Sequence, residues 1–140
     1  MLLEFLSVGL LGILILGIFV PYWLKTKDLK KISSKDLPSN GHWAQLSKGN
    51  IYYRWHHPEQ KNGQTIVMVH GFSTPSFVWN GLLDGLLNKG YSILVYDHYG
   101  RGFSERPRTK YSLDFYAETL KELISHQNID GKIHLVGYSM

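Results

Sequence analysis

The chain contains no cysteine. That excludes disulfides, thiolate metal sites and a cysteine nucleophile. It also agrees with a domain in a reducing, cytoplasmic setting. Internal repeats and low-complexity tracts are absent as well, which excludes solenoid architectures. Charge is missing over one long stretch: FLSVGLLGILILGIFVPYWL, Phe5 to Leu24, carries none. As a helix it would rise about 30 Å, the thickness of a bilayer's hydrocarbon core. The run is long and uniform for a buried core helix. A cleaved secretory signal would need a positive start and a small-residue cleavage site. Here Glu4 is the only charged side chain before the run, and Pro21, Tyr22 and Trp23 close it. The two aromatics suit a membrane interface. Residues 1–24 are therefore expected to form an uncleaved transmembrane signal-anchor helix.

The next segment is basic. Lys25, Lys27, Lys30, Lys31 and Lys35 stand against Asp28 and Asp36. Lysines beside a membrane segment favour the cytoplasmic side, so the N-terminus is expected outside and the rest inside. The Lys25–Lys35 cluster either contacts anionic lipid head groups or serves only as topology signal and solvated linker. It carries most of the formal net charge of +4, so that charge gives no reason to expect a nucleic-acid partner. Residues 25–40 read as a basic juxtamembrane linker, ending in a polar stretch with Pro38.

Residues 41–140 read as strands and helices in alternation. HWAQLSKGNIYYRWHH suggests an antiparallel hairpin turning at 48–50. TIVMVH (65–70), SILVYD (92–97) and IHLVG (133–137) are nearly continuous apolar runs, as in parallel strands buried on both faces. Between them, 76–88 presents Trp79, Leu82, Leu83, Leu86 and Leu87 at helical spacing, with Gly90 as a stop. Residues 112–126 present Leu113, Tyr116, Ala117, Leu120, Leu123 and Ile124, with Ser112 as cap and Asp114 complementing the dipole. The pattern predicts an α/β, doubly wound, mostly parallel sheet.

In such sheets, sites form beyond the carboxyl ends of the strands. The three runs end in His70-Gly71-Phe72-Ser73, in Asp97-His98-Tyr99-Gly100-Arg101-Gly102-Phe103-Ser104, and in Gly137-Tyr138-Ser139-Met140. A serine becomes a nucleophile when a base takes its proton and a tight strand-to-helix turn fixes its attack geometry. Gly137-x-Ser139-x fits the first four positions of such a G-x-S-x-G elbow. The oxyanion of a tetrahedral intermediate needs two aimed N–H donors. The backbone amide of Met140 would be one and that of Phe72 the other, with Gly71 letting the backbone turn tightly.

With these three strand-end motifs in this order and spacing, residues 41–140 resemble the α/β-hydrolase family. Asp97, Gly100, Gly102 and Ser104 match its D-x-x-G-x-G-x-S loop. The membrane anchor with HGFS and GYSM is most similar to monoacylglycerol-lipase and esterase-like members. The resemblance implies a membrane-anchored serine hydrolase acting on a small-molecule acyl ester or lipid substrate, with Ser139 as nucleophile and no metal or cofactor. It makes His70 a structural residue of the oxyanion loop rather than the base, because the triad partners come after the serine in the order acid, histidine. Asp97 is expected to order its loop. Serine in place of aspartate argues against an aspartate-dependent dehalogenase.

The resemblance further implies that residues 41–140 are the N-terminal half of the domain. About three more strands, a lid, the triad acid and the histidine would come after them. The 133–137 strand, central in the family, would otherwise be a sheet edge. The chain is thus expected to be part of a longer enzyme and inactive alone. Alternatives are a non-catalytic truncated hydrolase scaffold, and an amide, peptide or carbon–carbon bond hydrolase of the same fold. Adjacent His56 and His57 should point to opposite faces of a strand, which disfavours a shared metal site. Trp79 and the leucines of 76–88 read as core, and Arg101, Arg106 and Arg108 as a solvated loop.

Overall fold

The computed structural model describes residues 2–27 and 33–139; in the first helix, side chains are described at residue 9 and at 12–25. The chain divides into two compact units, Met1–Ser33 and Ser34–Met140.

The first unit is one helix, α1 (Leu2–Lys27), which continues through Pro21. Its described apolar side chains are open, from 44% exposure at Val20 to 69% at Ile18. No helix among the described residues is long and apolar enough to cross a membrane. The expectation of a spanning helix over 1–24 is thus not supported among the described residues. Lys30 and Lys31 of the basic cluster lie outside the described residues.

The second unit opens with a short 3-10 turn, Ser34–Asp36, and holds five strands: β1 (His42–Leu46), β2 (Gly49–His56), β3 (Thr65–Val69), β4 (Ser92–Tyr96) and β5 (Ile133–Gly137). Leu46 pairs with Gly49, so Ser47 and Lys48 form a two-residue hairpin loop, one residue before the expected turn. The sheet order is β1-β2-β4-β3-β5. β2 meets β4 antiparallel, while β4, β3 and β5 run parallel. The sheet is thus mixed, its parallel half carrying the three strand ends of interest.

Helices α2 (Asn80–Leu87) and α3 (Leu113–His126) cover opposite faces. Consecutive strand residues point to opposite faces. Val67, Leu94 and Tyr96 pack with Leu123 of α3, whereas Ile66, Met68, Ile93 and Val95 pack with Leu83 of α2 and Trp79. Both faces of β3 and β4 are dry, which is why their sequences are apolar without alternation. Each fully buried aliphatic side chain contributes about 1.5–3 kcal/mol. β5 departs from the expectation. Leu135 is 57% exposed, and only Ile133 and Val136 pack against the core clusters. Among the described residues β5 has one strand neighbour, β3.

Two helix faces also differ from the sequence-based expectation. Ser76–Trp79 is a 3-10 turn before α2. Three residues per turn shift the phase of the helix after it, so Leu83 is buried and Leu82 exposed. The Gly90 N–H bonds Leu87 O at 2.9 Å and the Tyr91 N–H bonds Leu86 O at 3.3 Å, closing the helix with a Schellman pattern. In α3, Ser112 Oγ accepts from the Phe115 N–H at 3.3 Å as predicted. The inward face is Phe115, Thr119, Leu120 and Leu123; Leu113 and Ala117 are exposed. Thr119 is admitted because its hydroxyl donates to Phe115 O at 2.8 Å.

Candidate active site

The chain runs from β3 to β4 on one side and through α3 to β5 on the other. The carboxyl ends of β3 and β5 therefore meet where the connections diverge, the usual place for a site in a doubly wound sheet. Val69 pairs with Gly137, and the Tyr138 N–H bonds Val69 O at 3.1 Å, carrying the ladder one step past the strands. Gly71 and Ser139 are brought together by this register.

Ser139 has φ 66°, the left-handed region. For a non-glycine residue that costs about 1–2 kcal/mol. Strain of this kind persists where the surroundings over-determine it, commonly at reactive sites. The residue is exposed. A Cβ on Gly71 would sit 2.8 Å from Ser139 Cβ and 2.8 Å from Tyr138 O. Gly71 is thus required by close approach; its φ is not positive. Gly137 shows neither requirement: its φ is not positive and a Cβ there would meet nothing within 4 Å.

Phe72 follows Gly71 with its ring 66% exposed. No described residue accepts from its N–H. That leaves a backbone donor next to Ser139 uncommitted, as an oxyanion donor must be. Met140, the other expected donor, lies outside the described residues.

His70 and His98 form a buried pair behind this loop, at 0% and 2% exposure. The His98 N–H donates to His70 Nε2 at 2.9 Å. The His70 proton must then sit on Nδ1, which donates to Gly71 O at 2.6 Å. His98 Nε2 donates to His70 O at 3.0 Å, and its Nδ1 is buried without a partner. Neither ring nitrogen of His70 is free to take a proton from Ser139. Motif spacing gives His98 no role. It stands two residues beyond β4 and His70 one residue beyond β3, so only the folded contact between the two loops pairs them.

Both rings are held neutral. Burial pushes the His98 pKa down to about 4, helped by His70, and burial likewise lowers His70. The unfolded histidine titrates near 6.5, so the unfolded chain binds more protons between about pH 6.5 and 4. Stability present above pH 6.5 is therefore lost as pH falls toward 4, by on the order of 3 kcal/mol for His98. A urea midpoint that is the same at pH 7 and pH 4.5 would contradict this.

Asp97 is 1% exposed and braces two loops. Its Oδ1 accepts from the Ser76 N–H at 2.7 Å and its Oδ2 from the Phe103 N–H at 3.0 Å. Gly102, at φ +46°, is pressed so close that a Cβ would collide with that carboxylate. Gly100 turns the same loop at φ +81° beside the Tyr111 ring. Ser104 Oγ donates to Asp97 O at 2.6 Å and accepts from the Tyr52 N–H at 2.9 Å. Arg106 and Arg108 are exposed, as expected of a solvated loop, whereas Arg101 is half-buried. Arg101 Nε donates to Phe72 O at 2.5 Å, and Arg106 Nη1 donates to Ser104 O at 3.2 Å.

Trp79 is core, as expected, and stands edge-on to the Tyr138 ring at 6.3 Å between centroids. His57 stacks on Trp55 at 5.3 Å. Among the described residues no group of three or more His, Asp or Glu could hold a metal ion.

A family model described as the alpha/beta hydrolase fold matches residues 64–140. A putative non-heme chloroperoxidase from Synechocystis sp. is 37% identical over 91 residues, covering 65% of this chain and 31% of that protein. A cis-3-alkyl-4-alkyloxetan-2-one decarboxylase from Xanthomonas campestris is 33% identical over 82 residues, covering 53% of this chain and 27% of that protein. The solved structure of an esterase from Exiguobacterium antarcticum superposes with a TM-score of 0.64 at 29% identity, covering 71% of this chain and 36% of that one. This chain spans about a third or less of the length of these curated relatives. From the strand order, the strand-end loops and the matched segment, the chain belongs to the alpha/beta hydrolase fold family.

Proposed function

We propose that this chain carries the nucleophile of a serine hydrolase that cleaves carboxylic esters, lipid acyl esters in particular, through an acyl-enzyme. The observation that carries the reading is the strained, exposed Ser139 lying against Gly71, with the free Phe72 N–H one residue on. In the first step Ser139 Oγ bonds to the ester carbonyl carbon and its proton passes to a base. The carbonyl electron pair moves to oxygen, where the Phe72 and Met140 N–H groups stabilise it. The pair returns, the C–O bond to the alcohol breaks, and the base gives its proton to the leaving oxygen. Water repeats the sequence on the acyl-enzyme and releases the acid.

His70 is not that base, since both of its ring nitrogens are committed. An amide, peptide or carbon–carbon bond substrate would use the same Ser139, and the relatives' names cover several chemistries on this fold. Stopped-flow release of p-nitrophenol from p-nitrophenyl esters tests the acyl-enzyme step. The protein expressed from its gene to the natural stop codon should release a burst equal to the enzyme concentration, then a slower steady rate. No turnover of any ester would overturn the proposal.

The proposal includes attachment to membrane lipids through α1 and the Lys25–Lys35 segment, with residues 41–140 on the cytoplasmic side. It is supported by the exposed apolar side chains of α1 and by the lysines after it. Protease added outside intact cells should leave the 41–140 domain whole; its removal would contradict this orientation.

A further inference from the structure

We infer that Arg101 is a positioning residue for the oxyanion donor: it holds Phe72 in place from the far side of the residue, by bonding the Phe72 carbonyl, one peptide after the donor N–H, and covering its ring. The inference rests on the reading of Phe72 as that donor.

An oxyanion donor works only within about 2.7–3.1 Å of where the charge develops. Phe72 is poorly placed to hold such a position by itself. Its ring is 66% exposed, so no apolar packing fixes the loop. What fixes it is polar and comes from two directions. On one side His70 Nδ1 donates to Gly71 O at 2.6 Å, setting the plane of the peptide that contains the Phe72 N–H. On the other side Arg101 Nε donates to Phe72 O at 2.5 Å. The same guanidinium lies over the Phe72 ring, its Cζ 4.4 Å from the ring centroid. Backbone and side chain of Phe72 are thus gripped by one group.

Arg101 is itself anchored. Its Nη1 donates to Gly100 O at 3.0 Å, and its N–H bonds His98 O at 3.0 Å. The loop that carries it is tied to Asp97 through the Phe103 N–H. The path from the buried carboxylate to the Phe72 peptide is therefore continuous. Lysine cannot reproduce it, because a point charge on a flexible stem cannot bond two carbonyls and stack flat at once. The bonds of Arg106 to Ser104 O and Gly102 O stay within its own loop, so it does not duplicate the role.

The test uses Arg101→Gln and Arg101→Lys in the protein expressed to its natural stop codon. Three quantities are read: kcat and KM on an ester, and the affinity of a trifluoromethyl ketone, which forms a stable oxyanion adduct. Loss of one oxyanion donor costs about 100- to 1,000-fold in kcat. A displaced donor should cost part of that. Arg101→Gln is expected to lower kcat about tenfold with KM within about twofold, and to weaken the ketone by a similar factor. Arg101→Lys should restore little of either. A merely structural role would lower the melting temperature and leave the ketone affinity unchanged. That result, or a wild-type kcat in Arg101→Gln, overturns the inference. If Arg101→Gln fails to fold, Arg101→Lys decides alone: wild-type kcat and ketone affinity overturn it. A wild-type protein without ester turnover overturns both this inference and the proposed function; ester turnover with an indifferent Arg101 overturns this one only.

Discussion

Replacing Ser139 by alanine is expected to lower ester turnover by roughly 10⁴- to 10⁶-fold, the usual cost of removing a serine nucleophile. The fold should survive. Ser139 is exposed, and alanine keeps the Cβ that already faces Gly71. The same position makes a second, opposite prediction. At φ 66° any L side chain is strained, and glycine is not. Ser139→Gly should therefore raise stability by up to about 1–2 kcal/mol while abolishing turnover. Measured together, kcat and the unfolding midpoint should move in opposite directions for glycine. If Ser139→Ala keeps wild-type turnover, Ser139 is not the nucleophile.

The second large effect belongs to Asp97. Asp97→Ala is expected to destabilise the domain by about 3–5 kcal/mol. The carboxylate is 1% exposed and accepts from the Ser76 and Phe103 N–H groups. Removing it orphans both, and each buried unpartnered donor costs about 1–3 kcal/mol; the Gly102 backbone also loses the group it was pressed against. Against a total stability of about 5–15 kcal/mol this is a large fraction. Asp97→Asn keeps one acceptor oxygen and should lose about half as much. Urea unfolding of the three proteins gives the comparison; a loss below about 1 kcal/mol for alanine would mean the loop does not depend on Asp97.

The parts of the fold that are legible in the sequence are those in which neighbouring residues carry the information. β3 and β4 are buried on both faces, so their apolar runs mark their ends to within one residue. Ser112 marks the start of α3 by its own side-chain bond to Phe115. Sequence and structure part where a distant partner decides. Leu135 is apolar, yet it is open because β5 has a strand on one side only among the described residues. Leu82 faces out because the 3-10 turn at Ser76–Trp79 rotates the helix after it.

The site divides in the same way. Motif spacing selects Ser139, Gly71 and Phe72, and the register of β3 against β5 sets them side by side. Arg101 and His98 cannot be selected so. Arg101 bonds a carbonyl 29 positions away, and His98 bonds a ring 28 positions away. An arginine in a polar loop and a histidine after a strand look ordinary until the two loops are folded onto each other. Gly137 shows the converse: motif spacing marks it, while the structure shows room for a side chain there.

The most direct measurement is covalent labelling. The protein expressed to its natural stop codon is treated with a fluorophosphonate, digested, and its peptides sequenced by mass spectrometry. One phosphonyl group on Ser139, absent from Ser139→Ala and from protein unfolded beforehand, is the predicted result. A folded wild-type protein that stays unlabelled at Ser139, or that is labelled at another residue, would contradict the assignment of Ser139 as nucleophile.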